Sequence, residues 1–140
     1  MIDLRTAPYG LFLLRLALGA MWVSHALIKY FVFTVPGFAG YLTNVGMPGF
    51  LALPVIGVEL IGGLLIIAGV YARPVALLLI PVMLGAMSVH VGNGFLFSSA
   101  GGGWEYPAFL VIVSVVVALA GEGAFALRPA QAGRRLHFAS

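Results

Sequence analysis

The chain lacks cysteine altogether and is poor in charge, with eleven charged side chains among 140 residues. Without cysteine there are no disulfides, no thiolate chemistry and no Cys-ligated metal or iron–sulfur site. The scarcity of charge is equally restrictive. A soluble domain is nearer ~25% charged and ~45–50% apolar, and a small one has a high surface-to-volume ratio to cover with polar groups. At 62% hydrophobic and 8% charged, a soluble globular domain, a disordered chain and a coiled coil are excluded. The net charge of +3 comes from basic residues scattered between apolar runs. No basic stretch tracks phosphates, so nucleic acid is not an expected partner, and the basic residues read as membrane topology.

Spanning ~30 Å of hydrocarbon takes about 20 helical residues. Four apolar stretches reach that length, near 10–33, 49–69, 74–92 and 106–127. The period-two alternation of a transmembrane barrel is absent. The first stretch is too long for a signal peptide, carries Arg15, His25 and Lys29, and lacks an A-x-A cleavage site. Arg5, Arg73, Arg128, Arg134 and Arg135 fall in the N-terminal tail, the second connection and the C-terminal tail, while the first and third connections hold no Lys or Arg. By the positive-inside rule both termini are cytoplasmic. The expected fold is therefore an all-α integral membrane protein, a four-transmembrane-helix bundle forming one domain over residues 1–128, followed by a cytoplasmic tail at 129–140. Between the first two spans, Phe38, Tyr41, Leu42 and Val45 share one face of a short amphipathic helix. Gly46 is placed to end it and Pro48 to open the next span. Gly92 to Gly103 reads as a flexible loop carrying Phe95-Leu96-Phe97, with Trp104 and Tyr106 at the membrane interface.

Charge at membrane depth costs ~2.5–3.5 kcal/mol per residue at the bilayer centre, so such residues face the bundle interior and find partners. Arg15, Trp22 and Lys29 are spaced by sevens, with Gly19 and His25 beside them, giving the first helix one polar stripe. Glu59 lies at the middle of the second span, and Gly62 and Gly63 one turn on allow a close neighbour. At ~1.5 Å of rise per residue, Arg15 and Glu122 lie at similar depth near the cytoplasmic face and can form a structural ion pair. His25 and Glu59 lie within reach of each other in the outer half, and Lys29, His90 and Glu105 sit at the outer mouth. These side chains, with Trp22 and Tyr41, are the candidate ligand-binding set, and Glu59 and His25 are the candidate proton relay. Lys29 can alternatively snorkel to the surface. Gly57, Gly62, Gly63, Gly85 and Ala86 are small residues suited to contacts between copies.

In this order and spacing the residues resemble the DoxX family of small bacterial and archaeal membrane proteins. The matching elements are Leu14-Arg15-Leu16 with Gly19, His25-x3-Lys29, Gly46-x-Pro48, Glu59-Leu60-x-Gly62-Gly63, Gly69-x3-Arg73, His90, Glu105-Tyr106 and the glycines flanking Glu122. The chain departs from the family pattern at Ala26, where a glycine is usual, and at Glu122, where a proline is usual. The resemblance implies a four-helix protein of the bacterial inner membrane linked to redox metabolism, since related subunits belong to thiosulfate:quinone oxidoreductase.

Three functions follow as expectations. The first is a quinone-interacting subunit whose outer polar pocket binds the headgroup and whose electrons come from a partner oxidoreductase. The second is a non-catalytic assembly subunit of a larger membrane complex or a homo-oligomer, its polar residues holding helix register. The third, ligation of haem b by His25 and His90, is disfavoured because the two lie about six residues, roughly 9 Å, apart in depth. Transport of a small solute would need more helices than four, hence oligomerisation.

Overall fold

The computed structural model describes residues 1–128; the tail expected at 129–140, with Arg134 and Arg135, lies outside the described residues. Five α-helices follow in order: α1 (Ala7–Phe31), α2 (Val35–Asn44), α3 (Ala52–Ala68), α4 (Ala72–His90) and α5 (Glu105–Ala120). Short 3-10 turns at Gly49–Leu51 and Val91–Asn93 extend α3 at its start and α4 at its end. There is no strand among the described residues. Three helical segments, Ala7–Phe31, Gly49–Ala68 and Ala72–Asn93, are long and apolar enough to cross a membrane. The protein is an all-helical membrane protein.

The fourth apolar stretch is shorter than its hydropathy suggests. Helix was expected over 106–127, but α5 stops at Ala120, where Gly121 takes a φ of 101°. The residues beyond form a strap across the end of the bundle. Ala124 donates to the Pro8 carbonyl at 2.8 Å, and Arg128 exchanges backbone hydrogen bonds with Gly69 and Tyr71. Gly123, at φ 74°, is needed here: a Cβ would stand 2.6 Å from the Pro8 oxygen. The apolar side chains of the strap, Phe125 and Leu127, stay exposed like the lipid-facing side chains of the helices, so apolarity continues past the point where the helix ends.

The closest helix crossing is between α1 and α3, and glycine makes it possible. A Cβ on Gly19 would lie 2.7 Å from the Gly63 carbonyl oxygen, and one on Gly63 would lie 2.9 Å from the Trp22 Cβ. Gly62 receives Leu79 of α4 in the same way. Gly62 and Gly63 are therefore used inside the chain, whereas Gly57 and Gly85 face open space. The main core joins Leu18, Trp22, Ile66, Leu79, Leu110 and Val117 from all four long helices. Large apolar residues such as Leu13, Leu53, Ile61, Leu78, Phe109, Ile112 and Leu119 remain exposed on the outside, as side chains against lipid tails do.

The connection after α1 forms the expected short helix, and it ends in the double bond of a Schellman motif: Met47 N–H to the Leu42 carbonyl, Gly46 N–H to Thr43. Only part of its apolar face is used. Phe38 and Leu42 pack into a second core with Ala26, Ala52 and Ile56, while Tyr41 and Val45 are exposed. The loop from Gly94 to Glu105, expected to be flexible, is tied to itself: Trp104 donates to the Gly94 carbonyl and Glu105 to that of Phe95, each at 3.1 Å.

Candidate functional site

The intramembrane charges separate into two clusters at opposite ends of the bundle. At the end formed by the start of α1, the α3–α4 turn and the strap, Arg15 is fully buried. Its guanidinium donates to the carbonyls of Ile66 (3.2 Å), Ile67 (2.9 Å) and Ala124 (2.9 Å). The α3 carbonyls are among those a helix leaves unsatisfied at its C-terminus, where a cation also meets the negative end of the dipole. Left-handed Gly69 leaves room for the guanidinium. Glu122 is buried and attracts Arg15 electrostatically, so the two residues expected as a pair do share this end. The hydrogen bonds of the guanidinium, however, go to backbone carbonyls. Arg73 repeats the theme, its Nε donating to the Ala118 carbonyl near the end of α5 at 2.8 Å.

At the other end, Lys29 and Glu59 form an ion pair, Nζ to Oε1 at 2.5 Å. Glu59 was expected as the acceptor for His25 or Lys29; its partner is Lys29, one helical turn along α1 from His25. Lys29 also lies over the Phe38 ring, 5.1 Å from its centroid, so α2 covers the pair from outside. Glu59 Oε2 and Trp22 Nε1 are buried without a hydrogen-bond partner among the described residues. His25 bonds instead to Tyr106 of α5, Nε2 to hydroxyl at 3.1 Å, with the rings stacked. Lys29 stands close enough to act electrostatically on His25. Two hydrogen-bonded pairs, Glu59–Lys29 and His25–Tyr106, with His25 and Lys29 one turn apart on α1, thus make a polar sequence from the α1–α3 interface to the start of α5.

Other expected site residues lie elsewhere. Tyr41 is exposed on α2, stacked on Phe38, outside the polar sequence. His90 Nδ1 is 3.0 Å from the Gly101 carbonyl oxygen, and Glu105 Oε1 accepts from the Phe97 N–H at 2.8 Å; both hold the α4–α5 loop. Beside that loop an open cleft of about 640 Å³ is lined by Phe95, Phe97, Glu105, Tyr106 and Phe109. Tyr106 belongs to both the cleft and the polar sequence. From the sequence it is an interface marker and half of the Glu105-Tyr106 family element, with no place in the ligand-binding set. The usable signal was depth, since Tyr106 opens its helix as His25 approaches the end of α1. Phe38 was likewise read as packing alone, although an aromatic ring on a covering helix is a natural partner for Lys29.

A family model described as DoxX matches residues 10–92. A Bacillus subtilis protein named "Putative oxidoreductase CatD" is 31% identical over 121 residues, 86% of this chain and 85% of the relative. An uncharacterized protein of Haemophilus influenzae is 32% identical over 122 residues, 86% of this chain and 89% of its own length. No solved structure matches the chain.

Proposed function

The chain belongs to the DoxX family, and on that premise we propose that it is an inner-membrane redox subunit that binds a quinone in its outer half and works with a partner oxidoreductase. In this arrangement α5, about 24 Å long, completes a fourth span together with its flanking residues, and both termini are cytoplasmic. Arg5, Arg73 and Arg128 then lie on the cytoplasmic side, with the polar sequence in the outer leaflet.

The observation that carries this reading is the adjacency of two hydrogen-bonded pairs, Lys29–Glu59 and His25–Tyr106, the second of which ends on a side chain lining a cleft. A quinone becomes a quinol by taking up two electrons and two protons. The electrons come from the partner oxidoreductase; the chain's own residues position the headgroup and handle protons. The His25–Tyr106 hydrogen bond suits both redox forms. With the proton on His25 Nε2, imidazole donates to the Tyr106 oxygen and the phenol O–H is free to donate to a quinone carbonyl. With the other tautomer, Tyr106 donates to His25 and its oxygen accepts from a quinol hydroxyl. The Lys29–Glu59 pair can receive or return a proton behind them. The relative's oxidoreductase name supports the redox assignment.

The test is mass spectrometry of the lipid extract from protein purified in mild detergent, wild type against Glu59→Gln and His25→Ala. Quinone retained stoichiometrically by wild type and depleted in the variants is the expected result. Equal trace amounts in all three would overturn it and favour the assembly-subunit role, in which these charges serve helix register alone.

A further inference from the structure

We infer that the quinone ring sits in the cleft beside Tyr106, entering sideways from the hydrocarbon, and that Tyr106 is the polar side chain that touches its oxygen. The inference rests on the quinone reading above and assigns the place and the contact. From outside, Glu59 is closed off: its side chain is 4% exposed, and Phe38 and Leu42 of α2 are packed down over that region. A ring could reach the carboxylate from that direction only by displacing a helix that ends one of the two cores.

The cleft has the opposite character. Its volume of about 640 Å³ falls in the ~300–1,000 Å³ range of small-molecule sites. Phe95, Phe97 and Phe109 supply apolar aromatic walls, and polar groups are confined to Glu105 and Tyr106. The loop wall is held by the Glu105 carboxylate on the Phe97 N–H and by two backbone hydrogen bonds, so it is formed before any ligand arrives. Phe109 lies one turn along α5 from Glu105 and is exposed, as is Ile112 beyond it, so the cleft opens on the lipid-facing side of α5. A flat conjugated ring with a hydrogen-bonding oxygen and an apolar tail matches this distribution; a hydrophilic solute does not. Tyr106 is the one lining residue that also bonds to His25, so a headgroup here meets the polar sequence at its outer end.

Trp104, edge-on to Phe95 at 4.9 Å, lies behind the loop wall and reports on occupancy. Detergent-purified protein is titrated with decylubiquinone and tryptophan fluorescence followed. Wild type is expected to show saturable quenching, and the double variant Phe97→Ser/Phe109→Ala, altered only at exposed side chains, to need about five-fold more probe or greater. Tyr106→Phe should weaken quenching as well, and Tyr41→Ala on α2 should leave it unchanged. If the cleft variants bind like wild type, the ring does not sit in the cleft, and loss of binding in Tyr41→Ala would place it under α2; the inference is overturned and the quinone reading survives. Absence of saturable quenching in wild type overturns both.

Discussion

Lys29 and Glu59 join α1 to α3 through an ion pair that is buried on the carboxylate side and roofed by Phe38. Removing one partner of such a pair leaves an uncompensated charge and costs about 3–5 kcal/mol, whereas replacing both with apolar groups is often neutral or better. Lys29→Met and Glu59→Leu should each lower the thermal midpoint of the purified protein markedly, and the double variant should recover most of the loss. Two mild and additive single effects would mean that the charges are solvated independently. Because the double variant is expected to stay folded, it also separates structure from ligand binding: it should assemble normally yet retain less quinone.

The α1–α3 crossing depends on glycine at two facing positions. Gly19→Ala would place a methyl 2.7 Å from the Gly63 carbonyl oxygen, and that atom is backbone and cannot turn away. Overpacking of this kind costs about 1–3 kcal/mol. Gly57→Ala, on the same helix as Gly63 but facing open space, should be neutral or stabilising by up to about 1 kcal/mol through helix propensity. Denaturation of the two variants in one detergent makes the comparison; equal effects would show that the helices can slide apart at no cost.

Much of this was legible in the residues. A charge at membrane depth must find a partner, so Arg15, Lys29 and Glu59 marked the bundle interior, and Gly62 and Gly63 marked close crossings; Gly19 read only as a flank of the polar stripe. Which partner each charge takes was harder to read. Depth counted from the ends of apolar runs left both His25 and Lys29, four residues or ~6 Å apart, within reach of Glu59. Lys29 also has a long stem that carries its charge away from its own Cα. The carbonyl partners of Arg15 were invisible for a different reason: every residue has a carbonyl, and only the fold decides which are left unsatisfied. Apolar composition likewise could not distinguish the last turns of a helix from the strap after Ala120, because both carry exposed apolar side chains, Leu119 on the helix and Phe125 and Leu127 on the strap.

Arg15 and the strap should fail together. Arg15→Lys keeps the charge but loses the planar fork that reaches Ile66, Ile67 and Ala124 at once. Hydrogen exchange should therefore rise over residues 121–128 and at the end of α3, with the outer half unchanged. Gly123→Ala attacks the same contact from the other side, through its φ of 74° and the Pro8 oxygen, and should produce the same exchange pattern. Exchange rising throughout the bundle in either variant would show that the strap is not a separable element.

The absence of cysteine makes the topology directly testable, since any introduced thiol is the only one present. Ser98→Cys lies in the exposed α4–α5 loop and Asp3→Cys in the exposed N-terminal segment. If the arginine-bearing end faces the cytoplasm, a membrane-impermeant maleimide applied to intact spheroplasts labels Ser98→Cys, and Asp3→Cys only after lysis. The basic residues argue for that outcome: Arg5, Arg73 and Arg128 all lie at one end, and the connection from Val32 to Pro48 at the other end holds no Lys or Arg. The opposite labelling would invert the protein and place the Lys29–Glu59 pair and the Tyr106 cleft in the cytoplasmic leaflet. A partner oxidoreductase would then have to reach the site from the cytoplasm, so this experiment also decides on which side to look for one.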